Sequence, residues 1–330
     1  MILKIMDLNN EYQIMLERFT QLCGMNFIKK DFILNSIIKH FSNSKYFDFE
    51  ENMINNIFLD TGEQLGRNYF KVIFINTRKE LLDFIKIAKG SVFKEYIDNE
   101  LNDYDYQSYM EEIRDLLEKV YLQINKGILE KIGNIRINFK TEELLDIIHK
   151  SEVNDIDDNP IETDTNIELL NIIIELINGI QQQNPTRILL IVKDIDHLLS
   201  KQEYLLLYDK IRALIDNSNT YFLTTISLNN YAILDTENIS GVNVINDVIF
   251  QIEDFDKYKE YINDNYPINI DLTDSELLKL TNMIIQQVGC NNVNNDIRSS
   301  IMLKLIDNSL AINFNSRTNI NNLEISFLNS

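Results

Sequence analysis

Apolar residues along the chain follow two rhythms. Short apolar-rich runs at Phe19–Gly24, Tyr69–Ile75, Ile188–Val192 and Tyr221–Ile226 have the length, and most of them the β-branched or aromatic content, of buried strands. Between them lie stretches with apolar residues three or four apart, such as Phe32, Ile33, Ile37, Ile38 and Phe41, which predict helices with one buried side. Further helices are predicted over 166–183, closed by Asn184-Pro185, and over 201–216. Strand, helix and strand in alternation predict a mostly parallel sheet covered by helices. Residues 2–6 read as a first strand, and 11–18 as a second strand or a short helix. The acidic stretch 48–63 reads as a helix plus turn, and Thr77 with Glu80 as the capping box of the next helix.

From about 93 to 132 the pattern is helical. Met110, Ile113, Leu117, Val120, Ile124 and Ile128 form one apolar stripe, either a core contact or an inserted arm used for self-assembly. A strand is predicted at 135–139, a short helix at 142–149, and a loop over 151–165, where Asp, Asn, Thr and Pro160 accumulate. A strand over 242–252 follows, then helices near 254–263, 274–288 and 296–308 and a final strand at 322–327. The expected organisation is an α/β head over 1–92 and 133–252, an inserted helical arm over 93–132, and a mostly helical C-terminal extension over 253–330.

The run ending at Gly24 leads through a tight loop into a helix, and the free N–H groups of a helix start attract anions. The phosphate-loop pattern wants a glycine, four residues, then Gly-Lys-Ser/Thr. Gly24 and Lys30 match it. Lys29 stands where the second glycine belongs, and Asp31 stands where the magnesium-binding hydroxyl belongs. A carboxylate about 4 Å from a phosphate oxygen costs roughly 4 kcal/mol at an effective dielectric near 20. The stretch therefore reads as a degenerate P-loop ATPase-like head that has lost its nucleotide, with an ordinary strand-turn-helix as the competing reading. Lys193-Asp194-Ile195-Asp196 after the Ile188–Val192 run resembles a magnesium-holding strand end, but Lys193 breaks the pattern and no Asp-Glu pair follows. ATP binding is disfavoured; a divergent ATPase using Lys30 and Asp194 is the enzymatic alternative, and a protein-only scaffold is the third.

Charge changes this picture. The 330 residues carry 31 basic and 51 acidic side chains, a formal net charge of −20, which argues against a nonspecific basic coat for nucleic acid or membrane. Yet Arg67, Lys71, Arg78, Lys79, Lys86, Lys89 and Lys94 face only Glu80 and Asp83 within 67–94, a local +5 against −25 for the remainder. Such an island is suited to phosphate backbones, or is the ordinary charge of a surface helix. Asp155, Asp157 and Asn159 have the opening spacing of a calcium loop, but Pro160 and Asn166 replace the required glycine and glutamate. Eleven acidic residues against one lysine over 141–175 leave room for a calcium site of another geometry, beside the plainer reading of a solvated acidic surface. His40, His149 and His197 share no metal-ligand spacing, and no catalytic constellation is present. Two isolated cysteines, Cys23 and Cys290, suit a reducing cytoplasm, and neither a signal-peptide core nor a membrane span is expected.

The order Thr20-Gln-Leu-Cys-Gly24, Phe41-Ser-Asn-Ser-Lys-Tyr46, Gly66-Arg-Asn-Tyr-Phe70, Val72-Ile-Phe-Ile75, Arg78 and a helical arm resembles the CRISPR-associated spacer-acquisition accessory protein of type II-A systems, in its long variants. The resemblance covers about residues 1–235 well. It implies a non-enzymatic homotetrameric ring enclosing double-stranded DNA and preferring ends. It also implies antiviral work beside the CRISPR integrase complex and effector nuclease. Short members use calcium to set the ring, but no motif here aligns with those ligands. It further implies basic side chains facing the hole, and the seven cations of the island are the candidates for them.

Overall fold

The computed structural model describes residues 1–7, 10–42, 45–131, 135–138, 147–252, 254–268, 272–290 and 296–312. The chain divides into two compact units, Met1–Asn76 with Thr186–Ser330, and Thr77–Pro185. The C-terminal segment is grouped with the first unit.

The first unit contains two sheets. Strands β1 (Ile2–Asp7), β2 (Asn10–Met15) and β4 (Ile57–Leu59) form an antiparallel sheet in the order β2-β1-β4. Strands β3 (Phe19–Cys23), β5 (Lys71–Ile75), β6 (Ile188–Val192), β7 (Thr220–Thr225), β8 (Val242–Ile245) and β9 (Ile249–Gln251) form the larger sheet, ordered β5-β6-β7-β3-β8-β9. Every neighbouring pair is parallel except β8 and β9. Every residue of β3 and β6 is buried, which explains the uninterrupted apolar character of β6, while β3 also buries the polar Thr20 and Gln21. The predicted strand over 242–252 is a hairpin, β8 and β9, because Asn246 to Val248 turn the chain.

Helix α1 (Phe27–Phe41) packs Ile33, Leu34, Ile37 and Phe41 into a core shared with Leu3, Ile5, Ile14, Leu22, Phe70, Leu189 and Leu223. Burying each such side chain contributes about 1.5–3 kcal/mol, so the 3.6-residue period of α1 places it against both sheets. The acidic stretch 48–63 is a 3₁₀ turn over Asp48–Met53 followed by β4, not a helix, because Ile57 pairs with β1 and is buried there.

The second unit holds α2 (Arg78–Ile85), α3 (Val92–Glu100), α4 (Tyr104–Lys131) and α5 (Asn166–Gln183). The capping box of Thr77 and Glu80 forms as expected, with Glu80 Oε2 accepting from Thr77 N at 2.6 Å. Helices α2 and α3 pack on α5. Gly179 permits that approach, since a Cβ there would sit 2.6 Å from the Tyr96 ring. The helical stretch 93–132 is interrupted at 101–103, where Asp103 Oδ1 accepts from Asp105 N at 3.1 Å. No residue of α4 is buried, and Ile113, Val120 and Ile124 of the apolar stripe lie exposed. Residues 135–138 are not a strand; the Asn125 side chain instead makes two 2.8 Å hydrogen bonds with the Ile137 backbone. Most of 142–149, Phe139, and the strand predicted at 322–327 lie outside the described residues.

The C-terminal part of the first unit carries α6 (Ile195–Leu198), α7 (Lys201–Asn217), α8 (Phe255–Asn265), α9 (Asp274–Ile284) and α10 (Ile297–Ser309). Among the described residues no helix is long and apolar enough to cross a membrane.

Candidate functional site

Strand β3 lies in the interior of the large sheet, with β7 on one side and β8 on the other. Crevices beyond the carboxyl ends of such strands are where open α/β sheets take ligands. Gly24 follows β3 with φ +99°, and a Cβ at this position would lie 2.4 Å from the Ile245 carbonyl oxygen. Only glycine fits so close a backbone crossing.

The N–H groups of this loop are occupied by the protein itself. Gly24 N donates to Gln286 Oε1 at 2.5 Å, Met25 N to Asn246 Oδ1 at 2.6 Å, and Asn26 N to Ile245 O at 3.2 Å. Asn26 caps α1, with its Oδ1 accepting from Lys29 N at 3.1 Å. Asn246 also donates from Nδ2 to Gln286 O at 3.0 Å and Val288 O at 2.6 Å. It therefore ties the loop to the segment after α9. Amide oxygens from 246 and 286 stand where an oxyanion would have to bind. Sequence reasoning missed both residues. No motif marks them, and only their burial, 2% and 1% exposed, and their contacts reveal them.

The three charged residues of the loop face other partners. Lys29 Nζ donates to the carbonyls of Asn246 and Asp247 at 3.0 and 2.6 Å. Lys30 is 2% exposed, and its Nζ donates to Ile226 O and Ser227 Oγ, both at 3.0 Å. Burial lowers the Lys30 pKa, against the opposing pull of Cys23, Asp194, Asp196 and Asp31. Asp31 pairs with Lys193 at 2.9 Å. Asp194 accepts from Thr225 Oγ1 at 2.8 Å, and Asp196 Oδ2 accepts from Ser227 N and Leu228 N, each at 2.7 Å. Burial pushes the Cys23 thiol up to about 12, so it is no nucleophile. Lys201, drawn down to about 8 by burial, donates to the carbonyls of Tyr231 and Ala232.

The basic island is divided between the two units. In the first, Arg67 closes the C-terminus of α1, donating from Nε to His40 O and from Nη2 to Lys39 O at 3.1 Å each, and Lys71 opens β5. In the second, Arg78 donates to Asn166 Oδ1 and to the carbonyls of Glu162 and Asp164, linking the starts of α2 and α5. Lys94 pairs with Asp98 at 2.7 Å, and Asp98 also meets His149 at 2.8 Å. Lys86 pairs with Glu162 at 3.1 Å, but both side chains are about half exposed. Lys79 and Lys89 are exposed and form no ion pair among the described residues.

Asp155 builds a turn, its Oδ1 accepting from Asp157 N and Asn159 N at 2.8 Å each. Among the described residues no three His, Cys, Asp or Glu side chains converge as a metal site.

These features define a mixed α/β protein with a mostly parallel sheet, whose loop after the central strand is closed by its own side chains. The chain belongs to the CRISPR-associated Csn2 proteins: the family model for CRISPR-associated protein Csn2, subfamily St, matches residues 8–327. Its fold is similar to the crystal structure of Stu0660 of Streptococcus thermophilus, with a TM-score of 0.86 at 19% identity, covering 99% of this chain and 100% of that one. No curated protein matches the sequence.

Proposed function

We propose that this CRISPR-associated protein is a non-catalytic, ring-forming binder of double-stranded DNA ends that acts in spacer acquisition. The family match across residues 8–327 carries the reading. In it, the first unit is a degenerate P-loop ATPase-like head. The support is the position of β3 inside the sheet, with Gly24 and α1 following it. The filled loop amides and the displaced Lys30 ammonium disfavour ATP hydrolysis through Lys30 and Asp194. The exposed apolar stripe of α4 supports self-association into a homotetramer, because an unburied stripe of this length suits a partner helix. The integrase complex and effector nuclease are the proposed protein partners, in the cytoplasm. Calcium, which the resemblance gives to short members, is a proposed ligand without assigned residues.

Within the island, Lys79, Lys86 and Lys89 are the cations positioned to meet phosphates. Lys79 and Lys89 are exposed, and a half-exposed pair such as Lys86–Glu162 is worth at most about 1 kcal/mol, which a phosphate readily outcompetes. Arg67, Arg78 and Lys94 hold local structure as described. Phosphate contacts position without reading bases, so sequence preference should be slight.

The test is a gel shift with linear and circular duplexes, alongside the solution mass with and without linear DNA. Binding to the linear form and a fourfold mass support the reading. Charge reversal of Lys79, Lys86 and Lys89 together should abolish binding with the fold intact. Unchanged affinity in that variant rejects this face, and absence of duplex binding in the wild type rejects the function.

A further inference from the structure

At the opposite end of the large sheet, where the strands begin, a concavity of about 460 Å³ lies beside the end of α1 and the starts of β5 and β6. Ser42, Asn68, Tyr69, Lys71, Thr186 and Arg187 line it, and no carboxylate does among the described residues. Its volume is in the range of small-ligand sites. In a chain of net charge −20, a hollow furnished with two cations and no anion is where a negative group would settle.

The aromatic framework of this end is specific. The guanidinium carbon of exposed Arg187 lies 3.9 Å from the centroid of the Tyr69 ring. Tyr69 meets Phe70 edge-on at 4.9 Å, and Phe70 meets Tyr221 at 5.1 Å. Arg18 lies 4.9 Å over Tyr221 and donates to Ser218 O at 2.9 Å. Three packed rings thus separate two guanidinium groups, and the exposed Arg187 guanidinium rests over the Tyr69 ring. The backbone fixes Lys71 beside it, since Lys71 N donates to Arg187 O at 2.8 Å. Arg67 contributes at a distance: by covering the last carbonyls of α1 it cancels the negative helix end that would repel an anion.

We propose that this cleft binds a nucleotide unit of single-stranded nucleic acid, its base stacked on the outer face of Arg187 and its phosphate beside Lys71. A guanidinium plane accepts an unpaired base face, whereas in a duplex that face is covered by the next base pair. The site is therefore distinct from the proposed duplex contacts at Lys79, Lys86 and Lys89, and it does not depend on them. An unpaired tail at a DNA end would supply such a nucleotide; so would a free nucleoside monophosphate.

Fluorescence anisotropy of a labelled single-stranded oligonucleotide, at low salt, tests the proposal on the full chain. Arg187→Ala should weaken binding at least about tenfold, in line with the loss of one stacked base. Arg187→Lys keeps the charge and loses the plane, so it should also weaken binding, by less. Competition by a free nucleoside monophosphate, sensitive to Arg187→Ala, assigns the site to free nucleotides; competition only by oligonucleotide assigns it to strands. Both outcomes support the cleft. Failure of the wild type to bind single strands overturns the proposal, as does binding unchanged in Arg187→Ala. Blunt-duplex binding measured in parallel separates these failures from failure of the duplex function.

Discussion

If the loop after β3 is held by its own chain, Gln286→Leu should be costly although the two side chains are similar in volume. Gln286 is 1% exposed, and its Oε1 receives the Gly24 N–H at 2.5 Å. Leucine keeps most of the volume, so the cavity contribution is small, and it removes the acceptor. The Gly24 N–H is then left buried with no partner, a loss of about 1–3 kcal/mol. Relaxation cannot easily recover it, because Gly24 is pinned by the Ile245 carbonyl and Met25 N is already engaged with Asn246. For a unit of this size each kcal/mol lowers Tm by about 2–4 °C, giving a drop of about 2–12 °C. The assay is thermal unfolding followed by circular dichroism, with hydrogen exchange reporting on residues 274–290. Exchange there should accelerate more than in β6, because Gln286 and Asn246 join that segment to the loop. A variant as stable as the wild type, with unchanged exchange, would refute the idea that the loop is a socket for the C-terminal segment.

Other consequences can be checked separately. Asp307 is buried and accepts from Gly289 N at 2.8 Å, and burial raises its pKa. A raised carboxyl stabilises the fold while protonated and loses that contribution as pH rises through the folded pKa. Asp307→Asn should therefore raise Tm near about pH 7 and converge with the wild type below about pH 4, where the Asp307 carboxyl is neutral folded and mostly neutral unfolded; a gain that persists in acid would contradict this. Of the two thiols, buried Cys23, with its pKa near 12, should resist a disulfide reagent in the native state, leaving Cys290 to react slowly. Two fast equivalents per chain would refute that. Lys30→Met should destabilise by leaving Ile226 O and Ser227 without their donor, while ATP with magnesium leaves the Tm of both proteins unmoved. A nucleotide-dependent shift lost in the variant would instead favour the ATPase reading.

The middle of the large sheet was legible because β3 and β6 are buried throughout and short, with apolar residues at both ends of each run. Phe19–Cys23 and Ile188–Val192 need no partner to be recognised. The β4 strand escaped because its three residues follow an acidic turn, and its strand character comes only from pairing with β1. Ile135–Ile137 alternate like a strand but are held by one side chain, Asn125, whose two hydrogen bonds imitate a neighbouring strand. The loop was found through Gly24 and Lys30, and the substitutions Lys29 and Asp31 already spoke against a bound triphosphate. What closes it could not be read, since Asn246 and Gln286 are more than 200 residues away and neutral. Polar residues on a long-range contact leave no periodic signal.

The same reasoning separates cations that build the fold from cations that can meet a ligand. Sequence spacing treats the seven island residues alike, because charge per residue is all it measures. The partners divide them: Arg78 receives three acceptors from the start of α5 and the turn before it, whereas Lys79, its neighbour, receives none among the described residues. An arginine fork already satisfied by fixed carbonyls gains little from a phosphate, since it must first give up those bonds. An exposed lysine surrenders only water and releases counterions from the nucleic acid. The salt dependence of duplex binding should accordingly count about three cations per chain, not seven. With four chains in a ring that is about twelve, and a slope near −11 in log affinity against log salt if all engage. A slope about twice as steep, near −22, would mean that Arg67, Arg78 and Lys94 exchange their carbonyl and carboxylate partners for phosphates, and that the division drawn from their hydrogen bonds does not govern binding.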